Sequence, residues 1–160
     1  MKFKDVKIFN PSCYSDFRGD LWTIWKKKEM LPGVDFIHDK VSVSRNNVLR
    51  GIHGDYKSAK LVTCLYGERY LVVVDNRPES STYLEWDWII LTGKNKKSVF
   101  LPPGYGNGFY VMSDSAVFYY KWAYEGDYSD VEDQFTLKWN DENLRIDWPT
   151  SSPILQKRDK

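Results

Sequence analysis

Turn signals break this chain at short, regular intervals, and that spacing leaves little room for helices. Asn10-Pro11-Ser12, Asp16-Phe17-Arg18-Gly19-Asp20, Pro32-Gly33, Asn46-Asn47, Gly67-Glu68, Pro102-Pro103-Gly104 and Gly106-Asn107-Gly108 act as punctuation. Between them lie runs rich in β-branched and aromatic residues. Val6–Phe9, Leu21–Trp25, Val34–Ser44, Val48–His53, Lys60–Tyr66, Arg69–Asp75, Trp86–Leu91, Ser98–Leu101, Phe109–Val111 and Ala116–Trp122 read as strands. Tyr70-Leu71-Val72-Val73-Val74 has the continuous apolar character of a strand buried on both faces. Gly67-Glu68 reads as a hairpin-like break, and Lys26 to Met30 as a short helical turn. Many short strands with Gly/Pro/Asn turns specify an all-β sandwich or barrel. Aromatics make up 16% of the residues, which suits a large sheet–sheet core and also supplies flat surfaces for sugars or bases.

A length of 160 residues fits one domain, 1–160, with its own core. The formal net charge of +1 gives no whole-molecule field toward nucleic acid or a membrane, so an anionic ligand must be met by local cations. Cys13 and Cys64 match no metal or redox spacing. Met1-Lys2-Phe3-Lys4-Asp5 is unlike a signal peptide and no stretch has the apolar length of a membrane span, so a reducing cytoplasm is the expected compartment.

One of only two histidines lies in Arg50-Gly51-Ile52-His53. The motif sets a cation and a titratable base on one face of an extended strand. The cation can hold an anionic ligand while neutral imidazole removes a proton from it, so an enzyme is the first hypothesis. Tyr119 and Tyr120 are adjacent in a later strand, where alternation sends one inward and one outward.

In order and spacing, Asp16-Phe17-Arg18-Gly19, Val48 to His53, Lys60-Leu61-Val62, Val73 to Arg77, Leu101 to Gly104, Tyr120-Lys121, Trp139-Asn140-Asp141, Asp147-Trp148-Pro149 and Arg158-Asp159 resemble the nucleotide-linked 4-keto-sugar 3,5-epimerases. The resemblance covers nearly the whole chain. It implies a cupin-type jelly roll with short helical segments, a homodimer, no metal and no redox cofactor. In such chemistry a C4 ketone acidifies the C3 and C5 protons. A base removes one to give an enolate, and an acid across the ring returns one to the opposite face. The resemblance makes His53 the base, Asp159 the carboxylate on its other ring nitrogen, Tyr120 the acid and Lys60 the cation at the enolate oxygen. It chooses Tyr120 over Tyr119 by the Tyr-Lys pair. Arg50 and Arg18 become diphosphate or sugar ligands, with Arg18 reaching into the partner's site.

The chain departs from that family where His53-Gly54-Asp55 replaces His-Tyr-Gln and Asn107-Gly108-Phe109 replaces His-Gly-Phe. Phe36-Ile37-His38-Asp39-Lys40 replaces Phe-x-Gln-x-Asn, and Leu21 and Thr23 stand for Phe and Glu. These departures resemble the branch acting on GDP-linked 6-deoxy-4-keto-heptoses in bacterial capsule synthesis, which makes His38, Lys40, Asp55 and Asn107 substrate-side residues. The rival readings are a 3,4-ketoisomerase, disfavoured by Gly54-Asp55 where a His-x-His pair is expected; a metal-dependent cupin, for which two separated histidines are too few; and a non-catalytic carbohydrate-binding jelly roll.

Overall fold

The computed structural model describes residues 1–160 as twelve strands with two single-turn 3₁₀ segments. In chain order the strands are β1 (Lys7–Phe9), β2 (Cys13–Asp16), β3 (Gly19–Trp22), β4 (His38–Arg45), β5 (Leu49–Gly54), β6 (Ala59–Tyr66), β7 (Glu68–Asp75), β8 (Trp86–Thr92), β9 (Ser98–Leu101), β10 (Tyr105–Val111), β11 (Ser115–Ala123) and β12 (Phe135–Thr136). One sheet runs β1-β9-β6-β11-β4 and the other β12-β5-β10-β7-β8, while β2 and β3 form a separate hairpin. From β4 to β12 the chain changes sheet at nearly every connection, β7–β8 being the exception. That weave of two antiparallel sheets is a jelly roll. No helix is long and apolar enough to cross a membrane.

The strand positions largely follow the sequence reading, but β2 and β12 escape it and Val34–Ile37 lies outside β4; three further points are corrected. Gly67 is not a hairpin turn. β6 and β7 belong to opposite sheets, and Gly67, at φ +76°, carries the chain around the corner. Gly106-Asn107-Gly108 is not a turn either but the middle of β10. The two glycines serve close packing: a Cβ at Gly106 would lie 2.8 Å from the Ile52 side chain. The run Leu21–Trp25 stops as a strand at Trp22.

The core between the sheets gathers Val62, Cys64, Leu71, Val73, Phe109, Val111 and Phe118. Residues of the opposite parity, Leu49, Ile52, Tyr70, Val72 and Val74, are covered by Leu144 and Trp148 of the C-terminal segment. Backbone bonds stitch that segment to β5: Ile52 and Leu137 exchange both N–H···O bonds, and Leu49 N–H donates to Ile154 O at 3.1 Å. The last residues are thereby led back to β5, where Lys157–Asp159 form a 3₁₀ turn and Asp159 is buried. Of the polar end Gln156–Lys160, Asp159 is the buried residue.

At the opposite end of β7, buried Asp75 accepts from Arg77 Nη2 at 2.7 Å, Ser80 Oγ at 2.6 Å and Thr82 Oγ1 at 2.7 Å. Burial works to raise this carboxyl, but the hydrogen bonds overcome it and hold it well below the carboxylate range. Arg77 also reaches Asp5, tying the N-terminal residues to the sandwich. The network is structural.

Candidate active site

The open end of the sandwich holds a cavity of about 280 Å³ between the sheets. β5 and β10 contribute Arg50, His53, Asn107 and Phe109 from one side. β4, β6 and β11 contribute Lys40, Lys60, Phe118 and Tyr120 from the other. Tyr128, Asp130 and Gln134 of the loop before β12, and Arg158 of the tail, complete the wall.

Regular alternation would not put Arg50 and His53 on one face, because they are three positions apart, an odd step. A β-bulge does. His53 pairs with Asn107 and Arg50 with Phe109, so a three-residue step on β5 matches a two-residue step on β10. Gly51, at φ +120°, accommodates the extra residue. The same-face expectation is therefore met, but through an irregularity rather than through a regular strand.

His53 Nε2 lies 2.7 Å from Asp159 Oδ1, with the Asp159 side chain fully buried. The pair meets as a close contact: neither His53 Nε2 nor either Asp159 oxygen has a hydrogen-bond partner of good geometry. With the carboxylate against Nε2, Nδ1 is the ring nitrogen left for a substrate. Tyr120 and Tyr119 divide as alternation requires. Tyr120 lines the cavity, whereas the Tyr119 hydroxyl sits outside, 3.3 Å from Lys121 Nζ, which in turn bonds Asp39 at 2.7 Å. Lys60 is buried with Nζ 4.5 Å from the Trp122 ring centre. Burial pulls its ammonium down to about 8; Asp55 opposes that shift, while Arg158 and Lys40 add to it. Lys40 shares the same indole at 5.2 Å and donates to the Tyr128 hydroxyl. Arg50 is held by Ser44 Oγ, 3.1 Å from its Nε.

Six of the ten expected site residues thus line one cavity: Lys40, Arg50, His53, Lys60, Asn107 and Tyr120. Asp159 stands directly behind them. The other three do not line it. His38 lies at the margin, its Nδ1 3.3 Å from the Tyr124 hydroxyl. Asp55 is buried in the β5–β6 turn, where Oδ1 accepts from Lys57 N at 2.9 Å and Ser58 N at 2.5 Å. Its short side chain is spent on capping that turn, so its influence on the cavity runs through Lys60. Arg18 is exposed at the tip of the β2–β3 hairpin, paired with Asp16 at 2.5 Å. Tyr128, Asp130 and Gln134 escape sequence reasoning, because no local pattern in the loop reports that it folds over the cavity. Arg158 is signalled only by its place beside Asp159.

The cavity wall carries four cationic side chains, Lys40, Arg50, Lys60 and Arg158, against the single carboxylate of Asp130. On a chain of net charge +1 this is a local concentration of positive charge suited to an anion. No cluster of three His, Cys, Asp or Glu side chains offers a metal-ligand set.

The model for the family described as dTDP-4-dehydrorhamnose 3,5-epimerase matches residues 1–160. The chain belongs to that family. The Escherichia coli K12 dTDP-4-dehydrorhamnose 3,5-epimerase is 38% identical, over 99% of this chain and 89% of its own length. A dTDP-6-deoxy-D-glucose-3,5-epimerase from Legionella pneumophila Philadelphia 1, solved with dTDP-4-keto-L-rhamnose, is 36% identical with a TM-score of 0.92, covering 99% of this chain and 87% of that one. A 3′-monoepimerase from Streptomyces bikiniensis, solved with dTDP-quinovose, is 27% identical with a TM-score of 0.91, covering 99% and 83%. The protein is an epimerase of the isomerase class, acting on a 4-keto-6-deoxy nucleotide sugar.

Proposed function

We propose that His53, Tyr120 and Lys60 perform the inversion at C3, or at C3 and C5, of that sugar. The observation carrying this reading is the His53–Asp159 contact of 2.7 Å at the wall of a cation-rich cavity that Tyr120 and Lys60 also line. His53 Nδ1 removes the proton α to the ketone, and the C–H pair moves into the enolate. Asp159 stabilises the imidazolium so formed. Lys60 as ammonium stabilises the charge on the C4 oxygen. The Tyr120 hydroxyl delivers a proton to the opposite face, and the enolate pair returns to the carbonyl. Asn107, directly across the strand pair from His53, hydrogen-bonds the sugar beside the base. Arg50 and Lys40 bind the anionic part of the substrate, with His38 at its margin.

The nucleotide in the relatives' names is dTDP. For this chain we propose a GDP-linked 6-deoxy-4-keto-heptose of surface polysaccharide synthesis, handled in the cytoplasm by a homodimer. The departures support it: His38 and Lys40 on β4, Asn107 on β10, the Gly54-Asp55 turn, and Leu21 and Thr23 in and after β3. Incubation with GDP-linked and dTDP-linked 4-keto sugars in D2O tests both levels. Deuterium at C3 or C5 with inversion, faster for the GDP sugar, is the expected result. Turnover of dTDP sugars alone removes the nucleotide assignment, and no exchange with either removes the mechanism.

A further inference from the structure

Arg69 plays no part in the chemistry above and has no carboxylate partner; its partners are two backbone carbonyls and the neighbouring Cys64. It lies at the start of β7, with parity that turns it between the sheets, and it is fully buried. Nη2 donates to the carbonyls of Ala116 at 2.7 Å and Ser42 at 3.3 Å. Nε and Nη1, also buried, have no acceptor. Both acceptors are neutral, so the guanidinium is not paired with a carboxylate. A buried cation of this kind is costly, which calls for a reason.

Its position supplies one. The guanidinium carbon is 4.0 Å from the Phe109 ring centre and 4.7 Å from that of Phe118. Both rings line the catalytic cavity, so the charge lies under its floor. Phe118 and Tyr120 share the inward face of β11, with ring centres 5.5 Å apart. The Phe118 ring thus lies against both the guanidinium and the Tyr120 ring. Lys40, the cross-strand neighbour of Tyr120 on β4, is engaged by Tyr128. Burial and Arg50 pull Arg69 down to about 10, where Cys64 and Tyr120 oppose them, so it stays cationic at neutral pH.

We propose that Arg69 is a positioning residue: its uncompensated charge stabilises the phenolate left on Tyr120 after proton delivery. This rests on Tyr120 being the acid. In that step the phenol O–H bond breaks, its proton forms the new C–H bond, and the negative charge stays on the phenolate until solvent restores the proton. A cation acting through the apolar floor is preorganised and poorly screened.

Arg69→Met and Arg69→Lys, which match in length and differ in charge, test this in D2O. Exchange without inversion reports His53, and inversion reports Tyr120. R69M is expected to keep exchange and lose inversion roughly tenfold, with R69K near the parent. Equal loss in both variants, or an unchanged inversion-to-exchange ratio in R69M, overturns the proposal. Nitration of Tyr120 by tetranitromethane, which attacks phenolate, gives a readout independent of turnover. It should fall in R69M and persist in R69K, and equal nitration in both also overturns the proposal. If the parent protein exchanges no substrate proton but Tyr120 nitration still follows the charge at position 69, the epimerase mechanism fails and the coupling stands.

Discussion

Lys60 is the residue through which pH acts on this site. Burial lowers it to about 8, so it is an ammonium below that value and a neutral amine above it. In its proposed role, Lys60 would stabilise the enolate oxygen at neutral pH and lose that effect as pH rises through about 8. A pH–rate profile should show kcat falling there, and a flat profile to pH 10 excludes Lys60 from the role. Asp55 opposes the shift from the β5–β6 turn. Asp55→Asn keeps the capping oxygen and removes the charge, so the fall should move to lower pH. His53→Asn should cost at least about 100-fold in kcat, the usual contribution of a general base. Asn107→Ala should cost roughly tenfold in kcat/KM, the worth of one hydrogen bond to the substrate; unchanged kinetics would remove Asn107 from the site. His53, Lys60 and Tyr120 were legible because their residue types match the chemistry and sit in recognisable motifs. Arg69 was not, because a charged residue at the start of a strand reads as exposed until the opposite sheet is placed over it.

At the scale of the element, the bulge in β5 decides whether the base and the cation meet. Gly51 holds a backbone conformation that side chains rarely adopt, and a Cβ there would sit 2.8 Å from Asn107 O. Gly51→Ala should cost about 1–3 kcal/mol for the backbone conformation alone, more with the clash. It should also turn Arg50 and His53 out of register. Urea unfolding and turnover measured on one preparation check both effects. Activity lost with full stability retained would show that the bulge serves register alone; both retained would show that β5 tolerates a regular ladder. The corners at Gly67 and within β10 teach the same lesson. Glycine marks a special backbone position, but whether it is a turn, a corner or a close approach depends on which sheet each strand joins.

At the scale of the molecule, the Arg18 hairpin contributes nothing to the cavity of its own chain, and Phe17 beside Arg18 is 97% exposed. Val41 and Val43 on the outer face of β4 are exposed as well. These apolar groups fit the interface of the proposed homodimer, with Arg18 serving the partner's cavity. Mixing inactive Arg18→Ala and His53→Asn chains, after dissociation and reassociation, should restore about 25% of the sites: half the dimers are hybrids, each with one intact site. No recovery in dimers shown to have exchanged subunits would place Arg18 outside catalysis. A charge introduced at the face, Val43→Glu, should yield monomers by light scattering.

By itself the sequence determined the all-β class, nearly every strand, and the residue types of an acid–base site, because β-branched runs and turn residues act locally. Tertiary structure alone decided which glycines turn, how a bulge aligns Arg50 with His53, and that a polar tail is led back to β5 so that buried Asp159 meets His53. It also decided that the charge of Arg69 lies against Phe109 and Phe118 at the cavity floor. Each of these depends on what packs against a residue from a distant part of the chain, and no local pattern carries that information.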